Sequence, residues 1–169
     1  MSCSISSIYY CPVKTLSFQN IETCNVKKDL GMTNDRIFAF SRGVDLEKAK
    51  SMEKNPNERK LNNLLTLKNS PALNKYNFTY NKNKLSLNLK EKELIAISTD
   101  IDEDRSKLSE KLNELESSLV RPIFLLNNNE FPSFISIDLE YFEQLKKENN
   151  EEDKLLSSKA INVYSKYSN

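Results

Sequence analysis

Regular alternation of apolar and polar residues is clearest between residues 76 and 89. Two runs show it there, with apolar side chains at Tyr76, Phe78, Tyr80, Leu85, Leu87 and Leu89. The polar triplet Asn-Lys-Asn at 81–83 separates the runs. A period of two is typical of strands that have one wet face. The pattern therefore predicts a β-hairpin with a short polar loop, in which the three aromatic side chains belong to the core.

Other short segments are also strand-like because they are rich in β-branched and aromatic residues. They are residues 4–13, 21–28, 36–41, 93–98 and 120–126. Gly31 lies between the second and third of them and is a natural turn residue. Residues 45–63 are polar and predict a mobile loop with some helix, whereas 61–69 fits a short helix or a strand equally well.

A helix is predicted after Asp100, because Asp100 and Glu103 resemble an N-cap pair. The segment that follows carries one apolar stripe, at Leu108, Leu112, Leu115 and Leu119. A strand at 135–137 and a helix capped by Asp138 are expected next. Residues 146–159 are charged and predict a solvated loop. The last ten residues begin like a strand.

The predicted fold class is mainly β with a few helices (α+β), and its strands are antiparallel wherever the pattern decides. Such an order favours a small β-barrel or a sandwich. We expect an antiparallel barrel domain at 1–125 and an incomplete second unit at 126–169.

The composition excludes several classes of site. With two glycines in 169 residues, neither Gly-rich phosphate motif can be written. Histidine is absent, which removes Ser-His-Asp and Cys-His nucleophiles and every histidine-containing metal site. The three cysteines, Cys3, Cys11 and Cys24, form no Cys-x-x-Cys pair and are expected to be reduced, partly buried thiols.

Charge and hydropathy narrow the range of partners. The net charge is +1, whereas a protein that binds nucleic-acid phosphates usually has a basic excess. The aromatic residues of the hairpin, beside lysines, are the only sign of single-stranded nucleic-acid binding, and we expect no nucleic-acid partner. The sequence has neither a long apolar run nor a signal-peptide pattern. A cytoplasmic protein without a membrane partner is expected.

The stretch "IYYCPVKTLS" at residues 8–17 raises a chemical question. An apolar strand ends in Pro-Val-Lys-Thr, so Lys14 and Thr15 are either ordinary surface or neighbours of something charged. Arg36 poses the same alternative, because Asp35 is adjacent and a salt-bridged strand end would explain the pair.

Three stretches together resemble the MOSC family. "SSIYYCPVKTL" is similar to the opening strand of its N-terminal β-barrel domain, which runs into Tyr-Pro-Val-Lys-Ser. "DLGMTNDRIFAF" resembles the next signature, a glycine followed by Asp-Arg and an aromatic strand. "FISIDLEYFEQL" resembles the start of the MOSC domain proper. The order and the rough spacing of the three agree with the family.

This resemblance implies a molybdopterin-type molybdenum cofactor, as in relatives of molybdenum cofactor sulfurases and amidoxime-reducing components. In the reductase branch, the matching lysine, serine and arginine contact the cofactor. The positions here are Lys14, Thr15 and Arg36, of which Thr15 replaces the serine. A phosphate suits such neighbours, since lysine is a point charge, arginine a planar fork and threonine a hydroxyl donor.

The departures from the family pattern define the alternatives. Cys11 stands where the family usually has tyrosine, and "VYSKYSN" at 163–169 resembles a worn form of a later family segment. The family's reactive cysteine lies beyond that segment. We therefore expect no catalytic residue and no metal ligand here, and a protein partner that completes the MOSC domain. The alternative is a non-catalytic, truncated or degenerate relative that acts as an interaction module.

Overall fold

The computed structural model describes residues 4–27 and 31–128. Within these ranges the chain forms nine strands and two α-helices. The strands are β1 (Ile8–Tyr10), β2 (Gln19–Ile21), β3 (Val26–Lys27), β4 (Gly31–Met32), β5 (Phe38–Phe40), β6 (Tyr76–Asn81), β7 (Lys84–Leu89), β8 (Lys92–Ser98) and β9 (Leu125–Asn127). The helices are α1 (Leu46–Lys54) and α2 (Asp102–Leu115), and short 3-10 turns span Pro56–Glu58, Leu61–Asn63 and Pro71–Lys75.

The strands pair in four antiparallel sheets. Three sheets have two strands each, β1 with β2, β3 with β4 and β5 with β9, and the fourth has the order β6-β7-β8. This confirms the expected mixture of antiparallel strands and a few helices. The pairings among the described residues do not close into a barrel, so the barrel stays a prediction. Of the expected second unit, 126–169, only residues 126–128 lie within the described ranges.

The hairpin is the element that the sequence predicted best. Its strands are β6 and β7, and Tyr76 pairs with Leu89 at one end and Asn81 with Lys84 at the other. The two-residue loop places Lys82 at φ 46° and Asn83 at φ 65°. Two consecutive positive φ values match the turn whose twist suits a right-handed hairpin. The expected third strand follows as β8 and pairs with β7.

The helices differ more from the predictions. All of α1 falls in a segment predicted as loop with some helix, and Asp45 caps it by accepting a 2.7 Å hydrogen bond from the Lys48 N–H. The Asp100 cap is wrong, because α2 has Ile101 at its N-cap and no side-chain cap bond. Asp100 instead accepts a hydrogen bond from the Asn83 side chain. The stripe is confirmed at Leu108 and Leu112, which are fully buried.

One main core joins the turn after β1, β5, the hairpin and α2. Phe78 packs against Phe40 with ring centroids 5.8 Å apart, and Tyr80 meets Phe38 edge-on at 5.2 Å. Tyr76 and Phe78 are buried, which confirms that these aromatic residues belong to the core. Their faces are therefore not available for stacking on bases.

The outer edge of β6 is covered by side chains that extend from residues 17 and 19. The Ser17 hydroxyl accepts from the Phe78 N–H at 2.8 Å and donates to the Phe78 carbonyl oxygen at 3.2 Å. The Gln19 Oε1 accepts from the Tyr80 N–H at 2.9 Å. The Tyr10 hydroxyl lies 2.9 Å from both that Oε1 and the Tyr80 carbonyl oxygen. Side chains thus make the bonds that a neighbouring strand would make.

Several predicted strands are shorter than expected or broken. The described part of the segment 21–28 contains the end of β2 and the short β3. Gly31 lies in β4 rather than in a turn, and regular structure within 120–126 begins only at Leu125. The 61–69 segment begins as a 3-10 turn and is not a strand. The elements expected after residue 128, including the charged stretch 146–159, lie outside the described residues.

The hairpin turn yields a stability prediction. Lys82→Gly removes a Cβ from a left-handed position, so we expect the free energy of unfolding to rise by about 0.5–1 kcal/mol. The matched control is Lys84→Gly in β7, which should lower the free energy of unfolding by about 0.5–1 kcal/mol. Urea denaturation of the two variants measures both effects. Equal losses of stability in both variants would contradict the turn assignment.

Candidate anion site at the end of the first strand

Backbone hydrogen bonds join the motif around Lys14 to the motif around Arg36. The Arg36 N–H donates to the Cys11 carbonyl at 2.6 Å, the Phe38 N–H to the Pro12 carbonyl at 3.0 Å, and the Lys14 N–H to the Phe38 carbonyl at 2.8 Å. Val13 and Phe38 form a parallel bridge between these bonds, and both side chains are fully buried. The turn after β1 is therefore fixed against the segment that enters β5.

Left-handed backbone conformations surround this contact. Thr15 has φ 59°, Asn34 has φ 69° and Arg36 has φ 52°. Asparagine tolerates this region, but a β-branched threonine is an outlier there. Such residues cost roughly 1–3 kcal/mol each and persist only where the surrounding structure holds them. Here the ladder of backbone bonds and the buried Val13 hold the turn in place.

Lys14 is buried in this turn, with only 2% of its surface exposed. Burial, and to a smaller extent the positive charge of Arg36, lower the pKa of its amine to about 8. Cys11 has a smaller, opposite effect. The lysine is therefore close enough to Arg36 for the two cations to act on each other, and its charge is expensive to keep inside the protein.

Arg36 stays partly open to solvent, with 31% of its side chain exposed. Its Nε and Nη2 lie 2.7 and 2.6 Å from the Asp35 Oδ2. The Asp35 Oδ1 accepts a 3.0 Å hydrogen bond from the Cys11 N–H. The salt-bridged strand end, one of the two interpretations of Arg36, is thus present. The same carboxylate also fastens Arg36 to the first strand.

The structure brings the three predicted site residues to one corner, but with unequal access. Thr15 is exposed and Arg36 is partly exposed, whereas Lys14 is enclosed. Of the three residues, Thr15 and Arg36 are therefore open to solvent, and Lys14 is not. Sequence reasoning missed the second contact of Asp35, which no local pattern signals because its partner lies 24 residues earlier.

The cysteines do not add a nucleophile to this corner. The Cys11 S–H donates to the Val13 carbonyl oxygen at 2.9 Å, and burial raises the pKa of the thiol. A raised pKa keeps the sulfur protonated and therefore weakly reactive. Cys24 is a partly buried free thiol, so the prediction of reduced thiols is confirmed for these two. Cys3 lies outside the described residues.

A second charged cluster lies in a groove of about 140 Å³ between α1 and α2. Arg105 contacts Glu53 at 2.8 Å and Asp102 at 2.5 Å. The same Glu53 oxygen accepts from the Asn127 N–H at 2.7 Å. The arginine is already matched by two carboxylates, so these bonds tie the helices to β9 instead of forming a site for a charged ligand.

The donor set at the Lys14 corner suits an anionic group and not a metal ion. Two cations and a hydroxyl match a phosphate. Within residues 4–27 and 31–128, no group of three or more histidine, cysteine, aspartate or glutamate residues is arranged to hold a metal. In the same ranges, no helix has the length and apolar character needed to cross a membrane.

Comparison with known proteins identifies no relative of the chain. Neither the family models, nor the curated proteins, nor the solved structures contain a match to the chain. The functional interpretation therefore depends on the corner itself and on the resemblance of its motifs.

Burial of Lys14 predicts how stability varies with pH. The pKa of the amine is about 8 in the folded protein and 10.5 in the reference state, so the unfolded chain binds more protons above pH 8. The contribution of Lys14 to the free energy of unfolding should therefore rise by about 1 kcal/mol between pH 7 and 9. Urea denaturation of the wild type and of Lys14→Met should show this difference.

The matched control for that measurement is Lys68→Met, which removes an exposed lysine outside the corner. It should keep the pH dependence of the wild type. Because Cys11 is present in all three proteins, its own titration cancels in the comparison. Parallel pH profiles for Lys14→Met and the wild type would show that Lys14 is solvated in the folded state.

Proposed function

We propose that the chain is a MOSC-type protein that contributes the anion-binding part of a molybdopterin site, through Lys14, Thr15 and Arg36. The observation that carries the proposal is the backbone ladder between residues 11–14 and 36–38. It gathers two motifs, separated in the sequence, into one electropositive corner. These are the two stretches whose residues most resemble the family. We also propose that the chain forms the antiparallel barrel of that family.

Each residue has a distinct role toward the phosphate of such a cofactor. Arg36 offers its partly exposed guanidinium, and Asp35 keeps that group oriented through two contacts below 3 Å. Thr15 offers an exposed hydroxyl from a turn that is rigidly held. Lys14 adds a positive charge from the protein interior, where solvent screens that charge little. The bound cofactor would supply the redox or sulfur chemistry of its molybdenum.

No catalytic role is assigned to the described residues. The thiol nearest the corner belongs to Cys11, and it is enclosed and directed to the Val13 carbonyl. A thiolate that ligates molybdenum needs access and a low pKa. We propose that the described part of the chain binds and orients the cofactor. The chemical analogy is with relatives of molybdenum cofactor sulfurases and amidoxime-reducing components.

A second candidate, a non-catalytic interaction module, is favoured by an exposed apolar surface on β1 and β2. Tyr9 lies opposite Asn20 in this pair, and Phe18 directly precedes β2. Phe18 is 74% exposed and Tyr9 is 56% exposed. Large aromatic side chains that remain in water are typical of surfaces that contact another protein.

Loss of Arg36 tests the anion site. Arg36→Asn removes the guanidinium and places a residue that tolerates left-handed backbone at this position. Charge-assisted hydrogen bonds contribute about 1.5–3 kcal/mol, so binding of a phosphorylated pterin should weaken roughly 10- to 100-fold. The measurements are equilibrium binding of the pterin, together with molybdenum content and pterin fluorescence of the purified full chain.

Lys90→Asn is the matched control, because Lys90 is exposed, has φ 55° and carries the same charge. It should bind as the wild type does. If Arg36→Asn and Lys90→Asn bind equally well, or if the wild type binds no pterin, the proposed function is wrong. In that case the exposed aromatic face of β1 and β2 is the feature to pursue.

A further inference from the structure

We draw no further inference here: the strongest candidate, the groove of about 140 Å³ between α1 and α2, carries none, because Arg105 is paired there with Glu53 and Asp102 and nothing in the structure shows what covers the apolar residues beside that pair.

Discussion

The parallel pairing of the Pro12–Lys14 turn with the Arg36–Phe38 segment is the contact on which the rest of the structure depends. It fixes β5, and β5 is the hub of the core. The Phe40 carbonyl accepts from the Leu65 N–H at 2.9 Å, and the backbone N–H of Ser41 donates to the Phe124 carbonyl at 2.8 Å. Segments that are far apart in the sequence are therefore organised around one three-residue strand, which explains why such short strands suffice.

The cost of this arrangement is concentrated at Lys14. An apolar residue at the same place would pack without a desolvation penalty, whereas a buried ammonium is unfavourable unless something compensates its charge. Burial of a charged side chain beside left-handed backbone is the main physical reason to look for function at this corner. In the groove between α1 and α2, by contrast, Arg105 is paired with Glu53 and Asp102.

Predictions that depend on a local sequence pattern were more accurate than those that depend on contacts between distant segments. Alternation over residues 76–89 is local and dense, and the hairpin formed as expected. Helix α1 is polar, with only Ala49 and Met52 buried, so its pattern was weak. The bonds between residues 11–14 and 36–38, and the ion pair of Glu53 with Arg105, join distant segments and leave no local pattern. Lys14, Thr15 and Arg36 were grouped through resemblance alone, and nothing in the sequence predicted that Lys14 would be enclosed.

The side chains of Ser17 and Gln19 have a consequence for the behaviour of the protein in solution. A free edge of β6 would offer its N–H and carbonyl groups to the strand of another molecule, which is how sheets grow into aggregates. Here a hydroxyl and an amide occupy those positions at Phe78 and Tyr80. Two polar side chains, spaced as a strand would space them, end the sheet without adding another strand and keep neighbouring molecules from joining it.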